Sequence, residues 1–200
     1  MIVTWLAALG LGFSILLKYK STPGAGAGQA PGHWPGRSRL RPAGDRATLL
    51  VFAHPHCPCT DATVSELARL MARFPDRMAG YVVFLQPADV GEDWTRTHLW
   101  QRAAAIPGVT AVRDDGGEET ERFHAATSGQ ALLYDREGRL VFSGGITAAR
   151  GHEGESFGTR RIASLLTTGT ADRADSPVFG CSLHHEEGPT APLERGKEAR

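Results

Sequence analysis

The order of hydrophobic and polar positions along the chain predicts a mixed α/β domain. Residues 48–53 form a continuous apolar run, which is typical of a strand buried on both faces of a sheet. In residues 60–74 the apolar positions recur at spacings of three and four, the pattern of an amphipathic helix with one buried face. Pro75 follows at once, and proline cannot continue a helix.

The rest of the domain continues as alternating strands and helices and closes with a hairpin. The predicted elements are a buried strand over residues 81–85, a helix over 92–105, a strand over 109–112, a helix over 118–126, a hairpin of 130–135 with 139–143, and a last helix over 159–166. Strands separated by helices pair in parallel through right-handed crossovers, whereas the hairpin adds an antiparallel pair. The fold class predicted is therefore a mixed β-sheet flanked by helices.

The segments outside this domain have different compositions. Residues 2–17 are apolar except for Thr4 and Ser14. This is slightly short for a membrane-spanning helix of ~17–25 residues and long for a signal-peptide core of ~7–15. We therefore predict a transmembrane anchor or signal over residues 1–20, and we favour an uncleaved anchor. A Gly/Pro-rich linker over 21–46 is expected to be a flexible tether, the folded domain spans 47–167, and a polar tail over 168–200 carries Cys181.

Charge and cysteine content narrow the classes of function. The 22 basic and 22 acidic residues give a formal net charge of zero, so the chain lacks the basic excess of a nucleic-acid-binding protein. Three cysteines are present, and an odd number excludes a fully paired structural disulfide framework. Two of them form the tripeptide Cys57-Pro58-Cys59, a placement that indicates chemistry rather than cross-linking.

The tripeptide lies between the end of a predicted strand and the start of a predicted helix. At a helix N-terminus, unpaired backbone N–H groups and the positive end of the helix dipole favour an anion. Such a position lowers the pKa of a cysteine thiol, and the resulting thiolate is the nucleophile of disulfide exchange. His54 and His56 flank the cysteines, and either would favour the thiolate further if protonated; two loop histidines with no role remain the alternative.

These residues resemble a known family. Val51-Phe52, three further residues and His56-Cys57-Pro58-Cys59-Thr60 before an amphipathic helix are similar to the thioredoxin signature, and residues 132–142 resemble its closing hairpin. The similarity covers about residues 47–166, and the additional elements resemble the membrane-anchored bacterial RedB/TlpA-like branch of the superfamily. The resemblance implies a thioredoxin-like fold and a thiol–disulfide oxidoreductase or isomerase that needs no cofactor and acts on thiol- or disulfide-containing proteins.

Two positions depart from the family pattern. In the family alignment Thr60 takes the position of the second cysteine, and Gly129 replaces a cis-proline that faces the cysteines. We expect Cys57 to be the attacking thiolate and Cys59 its redox partner, with Pro58 fixing the loop backbone. A Cys-x-Cys disulfide closes a smaller ring than Cys-x-x-Cys, and off-ideal geometry makes a disulfide easier to reduce. The pair is therefore expected to be more oxidising or isomerase-like, unless both are buried, inert thiols.

The third cysteine lies in an apolar stretch, residues 177–183, within the polar tail. Burial of that stretch would return Cys181 to the active-site loop, where it could form a disulfide with Cys57 or Cys59. A solvent-exposed thiol in an unstructured tail remains the alternative.

Other functions fit the same residues less well. Thiolates and imidazoles bind Cu(I) or Zn, so a copper- or zinc-binding module built from the residues at 54–59, with Cys181, His184 and His185, is the alternative function. A Cys-x-Cys pair without a matching second pair is weak evidence for it, and we assign no metal ligand. The peroxiredoxin pattern Pro-x-x-x-Thr-x-x-Cys fits neither Cys57 nor Cys59.

The sequence also bears on location. Lys18 and Lys20 follow the apolar run, and the positive-inside rule alone would place the domain in the cytoplasm. The anchor, the tether and an oxidising dithiol together favour export, because disulfides persist outside the cytosol. We therefore predict a protein of the bacterial inner membrane with its domain facing the periplasm.

Overall fold

The computed structural model of the chain describes residues 1–24, 29–169 and 174–183. Its helices and strands follow the predicted order. They are α1 (Ile2–Ser21), β1 (Ala47–Ala53), α2 (Cys59–Arg73), β2 (Met78–Gln86), a 3-10 helix (Glu92–Thr95), α3 (His98–Ala104), β3 (Val109–Asp115), α4 (Glu118–Arg122), β4 (Gln130–Tyr134), β5 (Leu140–Gly145), α5 (Phe157–Thr168) and β6 (Ala174–Asp175).

The strands form one mixed sheet in the order β3-β2-β1-β4-β5-β6. Strands β1, β2 and β3 are parallel, whereas β4 runs antiparallel to β1 and β5 antiparallel to β4. The predicted mixed sheet is therefore confirmed. Strand β1 lies at the centre with neighbours on both sides, so the loop that follows Ala53 emerges from the middle of the sheet.

Alternation along β1 divides the core into two layers, because successive side chains of a strand point to opposite faces. Leu49 and Val51 pack in the layer formed with α2, α3 and α5. Leu50 and Phe52 pack in the opposite layer, which contains Phe123 just after α4. Both faces of β1 are covered, which explains its uninterrupted apolar sequence.

The second half of the expected tether packs against the domain. Ala30 and Leu40 are buried in the core layer that contains Phe52. The Trp34 ring meets that of Tyr134 at a centroid distance of 5.2 Å. Residues 29–45 thus differ from a free tether. Trp34 and Leu40 are apolar side chains that pack on the core. The Gly/Pro-rich composition of the whole segment does not indicate this packing.

Two local differences from the predicted elements lie near the end of the sheet. The helix expected over residues 92–105 is divided into the 3-10 helix and α3, with Thr97 preceding α3 as its N-cap. The tail contributes β6, which pairs with β5 through only two residues. A two-residue strand is too short to produce a periodic sequence signal.

Helix α1 is long and apolar enough to cross a membrane, with a mean hydropathy of 1.7, and none of its residues is buried. Its C-terminal end meets the domain near Arg150. The backbone N–H of Arg150 donates to the carbonyl of Lys20 at 3.1 Å, and its guanidinium lies 5.0 Å from the centre of the Tyr19 ring. An anchored α1 would therefore hold this end of the domain close to the membrane surface.

Candidate functional site

The loop after β1 and the first residues of α2 form the site. The backbone N–H of Cys57 donates to the carbonyl of His54 at 3.1 Å, and the N–H of Thr60 donates to the carbonyl of Cys57 at 3.0 Å. Pro58 has helical backbone angles, φ −63° and ψ −24°, and caps α2. Cys57 thus lies one residue before the cap, at the positive end of the helix dipole.

Three thiols converge at this point. The Sγ atom of Cys181 lies 2.7 Å from the Sγ of Cys57 although the residues are 124 positions apart. The thiol of Cys59 also interacts with that of Cys57. No disulfide bond joins any of the three in the structure. The structure therefore brings together the two motif cysteines and the tail cysteine, with Cys57 in the centre.

The motif cysteines are less accessible than their position before a helix suggests. Cys57 is 1% exposed and Cys59 is 9% exposed. Both thiols are thus buried, as in the alternative that the sequence analysis left open. The tail segment that carries Cys181 lies across the loop, an arrangement that no local pattern around residue 57 can reveal.

The surroundings of Cys57 favour its thiolate. Burial acts to raise the pKa of Cys57, but hydrogen bonds outweigh it and leave that pKa below the ordinary value. The donors are the thiol and backbone N–H of Cys181, the hydroxyl of Thr60 and the backbone N–H of Cys59. Each stabilises the charged form more than the neutral form.

The other two thiols are shifted in the opposite direction. Burial, followed by the neighbouring Cys57 charge, raises the pKa of Cys59, with Arg150 opposing in part. Burial and the hydrogen bond to Cys57 raise the pKa of Cys181 to about 12. The site therefore favours ionisation of Cys57 over ionisation of Cys59 or Cys181.

Thr60 and Ser128 link the cysteine loop to the loop before β4. Their hydroxyl oxygens lie 2.7 Å apart, and the backbone N–H of His54 donates to the Ser128 hydroxyl at 2.9 Å. Thr60, at the family's second-cysteine position, is 1% exposed and donates to the Cys57 sulfur. Where the resemblance implies a second thiol, Thr60 therefore supplies a hydroxyl donor that lowers the pKa of Cys57.

Gly129 occupies the position where the resemblance implies a cis-proline. Its φ is +92°, and among the described residues there is no cis peptide bond. Proline holds φ near −65°, so this loop conformation cannot contain one. The N–H of Gly129, which proline would lack, donates to the carbonyl of Phe52 at 2.8 Å.

The flanking histidines contact each other and Trp94. The backbone N–H of His56 donates to Nδ1 of His54 at 3.2 Å, and Nε2 of His56 lies 3.0 Å from the carbonyl oxygen of Trp94. The rings of His56 and Trp94 have centroids 4.6 Å apart. Trp94 is a site residue that the sequence analysis did not identify, since it lies 38 positions from His56.

Arg150 is the second site residue that sequence reasoning missed. Its guanidinium interacts with the Cys59 thiol, donates to the carbonyl of Gly180 and covers the Tyr19 ring. It therefore joins the motif, the tail and the end of α1. A single arginine after a hairpin carries no signal in the sequence.

The metal-binding alternative can be compared with the described residues. In residues 1–24, 29–169 and 174–183, no group of three or more His, Cys, Asp or Glu side chains is arranged to hold a metal ion. His184 and His185, which the metal-binding alternative used, lie outside the described residues.

Comparison with known proteins gives structural likeness alone. No protein-family model and no curated protein matches the chain. An uncharacterised conserved protein from Geobacillus kaustophilus is 21% identical to this chain. The match has a TM-score of 0.58 and covers 72% of this chain and 79% of the Geobacillus protein. A hypothetical protein from Sinorhizobium meliloti 1021 is 19% identical, covers 84% and 100%, and has the same TM-score of 0.58.

A thiol-disulfide oxidoreductase from Bacteroides fragilis NCTC 9343 also matches, with 21% identity, coverage of 60% and 82%, and a TM-score of 0.44. At 19–21% identity, the likeness to the first two proteins shows a shared fold alone. The chain is a mixed α/β sheet flanked by helices and preceded by an apolar helix, with three parallel strands followed across the sheet by an antiparallel pair, as the sequence analysis expected.

Proposed function

We propose that the protein is a thiol–disulfide oxidoreductase whose attacking group is the Cys57 thiolate. The observation that carries the proposal is the placement of the buried Cys57 just before the start of α2, with its sulfur 2.7 Å from that of Cys181 and with donors that lower its pKa. Burial by itself raises the pKa of a thiol. A buried cysteine with a lowered pKa therefore requires dedicated donors, which an inert core thiol does not have.

The reaction begins with attack of the Cys57 thiolate on a disulfide sulfur of a protein substrate. A bond forms between Cys57 and one substrate sulfur, and the other substrate sulfur leaves as a thiolate. A second protein thiol then loses its proton and attacks the Cys57 sulfur, releasing the first substrate sulfur as a thiolate. The substrate disulfide is reduced to two thiols, and two protein thiols are oxidised to a disulfide; in reverse, the protein oxidises a substrate dithiol.

Two thiols contact Cys57 and are available for this second step: Cys59 from the motif and Cys181 from the tail. Thr60 and the flanking loop residues support the nucleophile. Pro58 sets the helix start, Gly129 provides the backbone donor to Phe52, and Ser128 links Thr60 to the backbone of His54. His56 lines an open cleft beside Cys57, and His98 and Leu99 line the same cleft. We assign to His56 a role in forming this cleft.

We further propose that α1 anchors the protein in the bacterial inner membrane with the domain in the periplasm. The apolar, unburied α1 supports the anchor, and disulfide chemistry on protein substrates supports the oxidising side. Removal of residues 2–21 should release the protein from the membrane fraction. A reporter fused after Arg200 should be active only if it functions outside the cytoplasm, and activity confined to a cytoplasmic reporter would contradict the orientation.

Exchange with a model disulfide tests the assignment of Cys57. The full chain in mild detergent, fully reduced, is mixed with oxidised glutathione, and adducts are trapped with acid and identified by mass. We expect Cys57→Ser to abolish adduct formation, whereas Cys59→Ser, the matched loss of a neighbouring thiol, should still form an adduct at Cys57. A Cys57→Ser protein that exchanges at the wild-type rate would refute the proposed function.

A further inference from the structure

The segment that covers Cys57 is held as a strand. The backbone N–H of Ser128 donates to the carbonyl of Cys181 at 2.8 Å, and the N–H of Leu183 donates to the carbonyl of Ala126 at 2.8 Å. Thr127 and Ser182 form the antiparallel bridge between these two bonds. Residues 181–183 thus pair with the loop that precedes β4, and residues 178–183 together are called the tail strand below.

The close packing of the tail strand against the domain depends on a glycine and on a buried leucine. A Cβ atom on Gly180 would be 1.8 Å from the carbonyl oxygen of Ser128, so only glycine fits there. Leu183 is 3% exposed and packs in the core layer that contains Phe52. At the other end, the carbonyl of Val178 accepts from the N–H of Gly24 at 2.8 Å. The position of Cys181 is therefore fixed from both sides.

We propose that Cys181 is the resolving thiol of Cys57, that is, the thiol that attacks the mixed disulfide and releases the substrate. This inference rests on the proposed function and assigns its second step to the tail instead of to Cys59. Since Cys57 is 1% exposed with the tail strand in place, the tail strand leaves when a substrate reaches Cys57 and returns afterwards. The Cys181 thiol then loses its proton, bonds to the Cys57 sulfur and expels the substrate sulfur as a thiolate, leaving a Cys57–Cys181 disulfide.

Geometry separates Cys181 from Cys59 in this role. The Cys181 sulfur already lies 2.7 Å from that of Cys57, on a segment outside the helices and the six-stranded sheet. Cys59 is the first residue of α2 and follows Pro58, whose ring restricts φ. A Cys57–Cys59 bond would close a small ring across this restricted turn, whereas Cys181 approaches Cys57 from a separate segment.

The proposal also accounts for Cys57 losing its proton more readily than Cys181. Before substrate attack the Cys181 thiol serves as a donor to the Cys57 sulfur. Once Cys57 is bonded to a substrate, it no longer carries a negative charge. Burial still raises the pKa of Cys181, but the contribution of the charged Cys57 sulfur to that rise is removed, so Cys181 ionises more readily once Cys57 is bonded to the substrate.

The first experiment maps the disulfide formed in a single turnover. The reduced full chain in mild detergent reacts with oxidised glutathione, is quenched with acid, and is digested and mapped. Wild type and Cys59→Ser should both yield the Cys57–Cys181 disulfide, and Cys181→Ser should retain glutathione on Cys57. A Cys57–Cys59 product with Cys181 still available to alkylation would overturn the proposal, even though Cys57 reacts. Absence of any Cys57 adduct would overturn the proposed function and this inference with it.

A second variant keeps all three thiols and removes only the docking of the tail strand. Gly180→Ala places a methyl group against the Ser128 carbonyl. With two backbone hydrogen bonds weakened, we expect about tenfold faster alkylation of Cys57 and about tenfold slower release of glutathione. Gly36→Ala is the matched control, since no atom lies within 4 Å of the added Cβ. Leu183→Ala, which removes the anchor by a different route, should shift both rates in the same directions. Wild-type release rates in both tail variants would refute the assignment of Cys181.

Discussion

Oxidation of the Cys57–Cys181 pair should stabilise the fold by an amount that identifies the pairing. The bridge joins residues 124 positions apart, and the loss of unfolded-chain entropy for a loop of that length predicts about 5 kcal/mol. A Cys57–Cys59 bridge closes a ring of about three residues, for which the same relation gives less than about 2 kcal/mol. Because the two sulfurs already touch in the reduced fold, little native-state rearrangement offsets the larger value.

Urea unfolding of the full chain in detergent measures this difference. The Cys59→Ser variant is the cleanest sample because a disulfide within one chain can then join only Cys57 and Cys181. Its oxidised form should exceed its reduced form by close to the calculated amount, which corresponds to a rise in melting temperature of about 10–20 °C for a domain of this size. Oxidised Cys181→Ser should gain no more than the short-ring value. An oxidised Cys59→Ser chain that contains the bridge, but whose free energy of unfolding rises by less than about 2 kcal/mol, would refute the reasoning that the tail strand docks without strain.

Three further predictions concern the thiolate and the scaffold that holds it. Thr60→Val removes a hydroxyl donor to the Cys57 sulfur and should raise the pKa of Cys57, measured by thiolate absorbance during a pH titration, whereas Thr63→Val, at an equally buried position in α2, should leave it unchanged. Because the pKa of Cys57 is lowered from 9.0, ionisation of Cys57 stabilises the reduced fold above pH 9.0. This stabilisation is lost as the pH falls through the folded-state pKa. If the free energy of unfolding of Cys57→Ser has the same pH profile as that of wild type, the prediction is wrong. Asp114 accepts hydrogen bonds from the Glu119 and Thr120 backbone N–H groups at 2.8 Å each, so Asp114→Ala should cost about 2 kcal/mol in urea unfolding, and the exposed Asp115→Ala should cost much less.

The sequence by itself determined the parts of this protein whose cause is local. An apolar run followed by Cys57-Pro58-Cys59 and an amphipathic helix predicts a strand, a loop and a helix start, and with them the position of the proposed nucleophile. The strand-helix alternation and closing hairpin similarly fix a mixed sheet, because each element's periodicity is set by backbone geometry. Helix α1 is also predictable from the sequence, since its length and hydropathy are sufficient to identify a possible membrane-spanning helix.

Only the tertiary structure decided the environment in which the thiols react. Sequence spacing could propose that the tail returns to the loop, but it could not decide between a docked and a free Cys181, because that outcome depends on the approach of Gly180 to Ser128 and the burial of Leu183. The same holds for Arg150 and Trp94, which reach the site from distant elements. The pKa of Cys57 results from donors separated from it by up to 124 positions, and electrostatic interactions depend on distance in space and on burial, which a linear sequence does not contain.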